Sequence, residues 1–219
     1  MRTPRPSPAR ERLLAVADQL FYERGIHAVG VDTIVARADT AKTTLYGHFG
    51  SKDALVDAYL QRRSQLWQEH VEAEIAASDS GPAARILRVF EVLGRSLAEP
   101  GFRGCPFINA CAEFADDHAA AATARAHRRW LHGVFARLAD QAGAADPELL
   151  ATQLGMLYDG SMVAAHVDSD RAAATTARAA AAALLIASGI EVDTTAAVGL
   201  RSGSPRCSPL VAPWERPGG

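Results

Sequence analysis

The stretch Ala38-Asp39-Thr40-Ala41-Lys42-Thr43-Thr44-Leu45-Tyr46-Gly47-His48-Phe49-Gly50-Ser51-Lys52-Asp53-Ala54-Leu55 decides the fold. Leu45 and Phe49 are four apart and share one face of a short helix, about 42–49. Before them, Val31, Ile34, Val35 and Ala38 mark the inner side of another short helix, which Asp39-Thr40 breaks. Gly50-Ser51 ends the second helix, and Ser51 is placed to cap a third that starts at Lys52. Two short helices joined by a tight break, with a longer helix ahead of them, have the dimensions of a helix-turn-helix unit.

The face of 42–49 that the apolar residues do not use carries Lys42, Thr43, Thr44, Tyr46 and His48, with no acid among them. Short threonines let a helix backbone approach a major groove, where their hydroxyl and methyl groups meet base edges. Lys42 and Tyr46 are long enough to reach phosphates. Lys52 stands at the start of the next helix, where open backbone N–H groups favour an anion. A solvated face on a small helical subdomain would have the same composition, so these residues alone leave both readings open.

Outward from this stretch, apolar periods near 3.6 dominate and no run of β-branched alternation appears. Ser7-Pro8 opens a helix whose inner face is Leu13, Leu14, Val16, Ala17, Leu20 and Phe21, stopped by Gly25. A long helix runs from Lys52 to about Ser78, with Leu55, Val56, Tyr59, Leu60, Leu66, Trp67, Val71 and Ile75 inward. Further helices are expected at about 82–98, 105–116, 117–142, 147–167 and 170–188. The fold class is therefore all-α, with about nine helices. Residues 1–8 are expected to be a flexible basic N-terminus, and 189–219 a disordered Gly/Ser/Pro-rich tail.

Of 219 residues, 48% are hydrophobic, 22% charged and 45 alanine, and the formal net charge is −2. That suffices for a substantial core. No run approaches the ~18–20 apolar residues of a membrane span. Three cysteines cannot build a disulfide scaffold and suit a reducing cytosol, so a cytoplasmic protein without a membrane partner is expected. Charge is uneven. Residues 1–63 hold ten Lys/Arg against seven Asp/Glu, the remainder 13 against 18, and both lysines, Lys42 and Lys52, lie in the quoted stretch. Such a chain would touch nucleic acid at one end only.

The quoted stretch, with its Leu-Tyr-x-His-Phe-x-Ser-Lys-x-x-Leu run, resembles the signature of the tetracycline-repressor (TetR) family of bacterial transcription regulators. The resemblance covers residues 9–56, and length and helix count agree beyond it. It implies a three-helix DNA-binding head over 9–56 and a helical ligand-binding and dimerisation domain over 57–188. Carried over by position, it implies that Lys42, Thr43, Thr44, Tyr46 and His48 face operator DNA and that Lys52 holds a backbone phosphate. Three departures stand out. Asp39 takes a turn position usually held by Gly, and Asp tolerates the left-handed region better than most residues. Ala41 replaces a capping Ser, which leaves Thr40 to cap. Gly47 replaces a residue that is often large.

The stretch Gly104-Cys105-Pro106-Phe107-Ile108-Asn109-Ala110-Cys111-Ala112-Glu113-Phe114 resembles one found in a subgroup of these regulators. Asn109 and Glu113 share a helix face and either orient an effector or close a local junction. Trp67, Phe107, Phe114, Trp130, Tyr158 and Met162 either line an apolar effector pocket or are plain core. His118, His127, His132 and His166 lack metal-like spacing, so no metal or cofactor is expected. Cys105 and Cys111, as buried thiols, leave an oxidant-responsive variant conceivable. Leu150, Ala151, Leu154, Gly155, Leu157, Ala164 and Ala165, with the alanine-rich 172–183 run, are the expected homodimer surface. The resulting expectation is a ligand-responsive repressor released by a small apolar effector; an activating regulator of the same fold is the alternative. No Gly-x-Ser-x-Gly, His-Glu-x-x-His or phosphate loop supports an enzyme.

Overall fold

A computed structural model describes residues 7–78, 80–115 and 118–192. The expected N-terminal segment and the Pro-rich tail fall mostly outside these residues. Among the described residues there are nine helices: α1 (Pro8–Arg24), α2 (Val31–Arg37), α3 (Lys42–Phe49), α4 (Lys52–Ala76), α5 (Pro82–Leu97), α6 (Pro106–Glu113), α7 (Ala119–Gln141), α8 (Pro147–Val167) and α9 (Ala173–Ala187). No helix among them is long and apolar enough to cross a membrane.

Local signals set most boundaries. Ser7 accepts the Arg10 N–H and Pro8 follows it, while Gly25, at φ 86°, ends α1. Ser51 accepts the Ala54 N–H at the start of α4, and Asp146 accepts the Leu149 N–H ahead of Pro147 in α8. The main departure is α6, expected to reach Asp116. It stops at Glu113 because Phe114 turns extended (φ −125°, ψ 150°) and stacks its ring on His118 at 4.0 Å between centroids.

Two compact units arise. The first takes the chain up to Ser64 together with Cys105–His127; the second takes Gln65–Gly104 and the chain from Arg128 on. The change of unit along α4 thus falls later than the 56/57 boundary read from the sequence, and α6 joins the head.

In the first unit, Leu13, Leu14, Ala17, Leu20 and Phe21 of α1 pack with Ile34 and Val35 of α2, Leu45 of α3, and Leu55, Val56, Tyr59 and Leu60 of α4. Phe107 and Ala110 of α6 and Ala120 and Ala124 of α7 complete that core. Each large side chain sealed here contributes roughly 1.5–3 kcal/mol. The face of α4 is not apolar throughout. Arg63 is 3% exposed and donates from Nε and Nη2 to both oxygens of Asp18, each at 2.8 Å. Ser64 is also buried, with Oγ 3.0 Å from His127 Nδ1.

In the second unit, α5 is buried along Ile86, Leu87, Val89, Phe90, Val92, Leu93 and Leu97. It packs against α9, where a Cβ on Gly94 would come within 3.3 Å of the Ala174 Cβ, so glycine permits the close approach. Phe90, Phe135 and Tyr158 form an aromatic trio with centroids 5.8–6.4 Å apart. Glu74 binds Arg88 and Arg95. Burial there pushes its carboxyl up, but the two guanidinium groups outweigh this and hold it below the ordinary range.

On α8 the expected dimer residues Leu150, Ala151 and Leu154 are buried in their own subunit's core. They belong to the second core together with residues of α5, α7 and α9. The exposed apolar stripe is a different one: Leu149, Met156, Val163 and Val167, with Ile186 on α9.

Removing one partner of the buried Asp18–Arg63 pair leaves an uncompensated charge in the first core. Asp18→Ala is expected to cost about 3–5 kcal/mol, read as a loss of thermal stability by calorimetry or circular dichroism. Glu23→Ala on the exposed side of α1 is the control.

Candidate nucleic-acid interface

The first unit presents α3 on its surface. Only Leu45 of this helix is fully buried, with Phe49 half-buried behind it. The turn from α2 works as its residues suggest: Asp39 adopts φ 49°, the left-handed region, and the Thr40 N–H donates to the Val35 carbonyl at 3.0 Å. Thr40 does not cap α3. It lies one residue too early, its hydroxyl is buried with no hydrogen-bond partner among the described residues, and Ala41 is the N-cap without a side-chain bond. The first-turn N–H groups of α3 therefore have no side-chain acceptor.

Thr43 and Tyr46 are exposed and Thr44 half-exposed, Tyr46 at 46%. Lys42 and His48 are exposed but engaged. Lys42 Nζ lies 2.7 Å from Asp32 Oδ1, and that hydrogen bond and charge push the ammonium's pKa up. His48 Nε2 lies 3.1 Å from Ser7 Oγ. Lys52 is half-buried: its Nζ donates to the Ile26 carbonyl at 2.8 Å and sits 5.9 Å from the centre of the Phe21 ring. The sequence gives no spacing signal for the Asp32, Ser7 or Ile26 partners. Arg37 on α2 and Arg12 on α1 add exposed cations that the reading of α3 left out.

The eight residues expected at an effector site do not gather in one unit. Phe107, Asn109, Glu113 and Phe114 lie in the first, and Trp67, Trp130, Tyr158 and Met162 in the second. Phe107 is buried and stacks on His127 at 3.9 Å, and Phe114 stacks on His118. Of the two readings of Glu113, its contacts are those of a residue that closes a junction. Its oxygens accept the Ile26 N–H at 2.9 Å and the His27 N–H at 2.6 Å. Trp67 and Tyr158 are buried in the second core, with Trp130 and Met162 half-buried against it. Cys105 is half-buried and Cys111 exposed, so the thiols are not the buried pair expected.

Residues 13–59 match the family described as bacterial regulatory proteins, tetR family, and residues 82–181 match the tetracyclin repressor-like C-terminal domain. The crystal structure of a TetR-family transcriptional regulator from Streptomyces coelicolor superposes with a TM-score of 0.78 at 34% identity, over 82% of this chain and 95% of that one. The chain belongs to the TetR family.

It is thus a DNA-binding transcriptional regulator and not an enzyme, and TetR regulators act on operator DNA as dimers. Among HTH-type relatives, the transcriptional activator FasR of Mycolicibacterium smegmatis is 49% identical over 53 residues, 24% of this chain and 24% of that protein. The transcriptional repressor NemR of Escherichia coli is 27% identical over 108 residues, 49% of this chain and 54% of that protein.

Gly47 sits in mid-helix, and a Cβ there would meet nothing within 4 Å. Its bare backbone serves no contact inside the subunit and weakens α3. Gly47→Ala is expected to stabilise the protein by roughly 0.5–1 kcal/mol, seen as a higher melting temperature.

Proposed function

We propose that this TetR regulator is a homodimeric repressor that lays α3 of each subunit in a major groove and leaves its operator when a small, largely apolar effector binds. The observation that carries the DNA reading is the outer face of α3, where Thr43, Thr44 and Tyr46 offer accessible hydroxyls beside Lys42, His48 and Lys52 and no acid on the helix. Thr43, Thr44 and Gly47 let the backbone come close to base edges, Tyr46 and Lys42 reach phosphates, and Lys52 meets a phosphate at the start of α4. Two-fold symmetry then sets half-sites about one helical turn, ~34 Å, apart.

Repression is preferred because the resemblance to the repressor NemR runs well beyond the head, whereas that to the activator FasR covers the head's length alone. The effector is assigned to the second unit, among Trp67, Trp130, Tyr158 and Met162. In the first unit, Phe107 and Phe114 stack on His127 and His118, and Glu113 is bonded to the Ile26 and His27 amides. α4 is one unbroken helix that begins in the first unit and ends in the second. A tilt of that helix on effector binding changes the spacing of the two α3 helices, so effector and DNA oppose each other by linkage.

For the dimer, the exposed stripe of Leu149, Met156, Val163 and Val167 supports pairing through α8 and α9. Met156 and Val167 are 68% and 71% exposed, and Gly160, with open space around it, lies within the stripe. Four apolar side chains at spacings of seven and four form one continuous helix face.

Selection from a random duplex library, followed by footprinting, tests the DNA reading. Wild type is expected to enrich an inverted repeat, and Thr43→Ala with Tyr46→Ala to lose it by about 10-fold or more with folding unchanged; enrichment of no sequence refutes the reading. Met156→Glu with Val163→Glu is expected to give monomers by light scattering and to abolish binding to the full repeat. Persistence of dimers would place the interface elsewhere.

A further inference from the structure

The α1–α2 turn is held by its backbone as well as by the buried side chains of Ile26 and Val29. Both polar backbone groups of Ile26 reach distant residues: its N–H donates to Glu113 Oε1 at 2.9 Å, and its carbonyl accepts from Lys52 Nζ at 2.8 Å as well as from the Val29 N–H within the turn at 3.3 Å. The next N–H, that of His27, donates to Glu113 Oε2 at 2.6 Å, with His27 Nδ1 3.4 Å from the same oxygen. Two successive N–H groups thus cradle one carboxylate. A Cβ on Gly25 would stand 3.3 Å from Oε1, so the carboxylate is seated over a bare Cα, at the one turn position whose φ of 86° also favours glycine. The His27 ring meets Phe114 at 4.9 Å, so two consecutive residues from the end of α6 are gripped by the turn.

General electrostatics does not explain this placement. Glu113 is the last residue of α6 and lies against the C-terminal end of α1, and both helix ends carry partial negative charge. The two directed amide bonds, with the His27 ring nitrogen beside Oε2, hold a carboxylate there. Their loss would leave the N–H of a 3%-exposed residue, Ile26, without its partner.

We propose that Glu113 is a positioning residue for operator recognition. By fixing the Gly25–His27 turn it sets where α2 starts, and through α2 how α3 is presented. This rests on the DNA reading given above for α3. Glu113 itself makes no DNA contact, and the cations and hydroxyls of α3 are unchanged by its substitution. Its effect therefore falls on recognition that depends on the placement of α3, and leaves charge-driven binding alone.

The test uses the full-length dimer, a duplex enriched by wild type from a random library, and calf-thymus DNA as the unselected probe. Glu113→Ala is expected to weaken binding to the enriched duplex by about tenfold or more while calf-thymus binding stays at the wild-type level. Glu113→Gln, which keeps one accepting oxygen, recovers part of the loss and serves if the alanine variant does not fold. Hydrogen exchange over residues 22–28 is expected to speed up in both. Wild-type affinity for the enriched duplex in both variants overturns the proposal, as does an equal loss on both probes, which marks a merely structural residue. Failure of wild type to enrich any duplex is a separate result that removes the DNA reading itself, and this proposal with it.

Discussion

The register of α1 against α4 depends on one buried ion pair. Arg63 sits on the buried side of α4 in the first unit, where Ser64 is the other polar residue, and its guanidinium is covered by the rings of Tyr22 at 4.1 Å and Tyr59 at 5.3 Å. A guanidinium in such surroundings costs several kcal/mol unless paired, and Asp18 pairs with it at two points. Sliding α1 by one turn would strand both charges. A purely apolar contact, by contrast, would tolerate such a slip with modest loss. The consequence reaches α3, because the N-terminal end of α1 carries Ser7, bonded to His48, and Arg10, 5.0 Å from the Phe49 ring centre. A pair that adds little net stability thus fixes where the exposed helix lies.

Much of this was legible in the sequence. Pro8, Gly25, Ser51 and Pro147 act locally, and helix boundaries set by such residues came out within a residue or two. The short helix 42–49 was recovered whole, because Leu45 and Phe49 give its inner face and Gly50 its end. What was not legible depends on residues far apart in the chain. Asp18 and Arg63 are 45 positions apart, and nothing in either local pattern marks them as buried. Glu113 reads as one of two polar groups on an apolar helix, while its partners are backbone amides 86 and 87 positions away. Backbone donors have no sequence signature at all. On α8 the periodicity correctly marks an apolar helix, but a helix with two apolar sides does not say which side its own subunit covers.

α3 is a poor helix by its own sequence. It has eight residues, two threonines, a glycine in its interior and no side-chain cap. Isolated helices of that length are marginal even with better composition. It persists because Leu45 anchors it in the first core and Gly50, at φ 79°, closes it. The features that weaken it are those that leave its outer surface flat: no long side chain at 47, short hydroxyl residues at 43 and 44, and no side-chain cap over the first turn. Stability supplied by the core releases the outer face from any duty to stabilise the helix.

The cations of this region are not idle in the absence of DNA, and their partners differ in what they would cost a phosphate. Asp32 is 79% exposed at its side chain, so its pairing with Lys42 is a solvated contact that a phosphate can replace at little expense. Lys52 uses one of three N–H donors on the Ile26 carbonyl, which leaves two for a phosphate without releasing the turn. His48 has its Nε2 turned to Ser7 and keeps Nδ1 for another partner. Asp32 therefore has the larger influence. In the DNA reading proposed for α3, Asp32, paired with Lys42, would lower the attraction of this face for any duplex alike, while the hydroxyls of Thr43, Thr44 and Tyr46 carry no charge to lose. On that proposal, reduced general attraction combined with accessible short-range donors would favour selection by sequence over adhesion to the phosphate backbone.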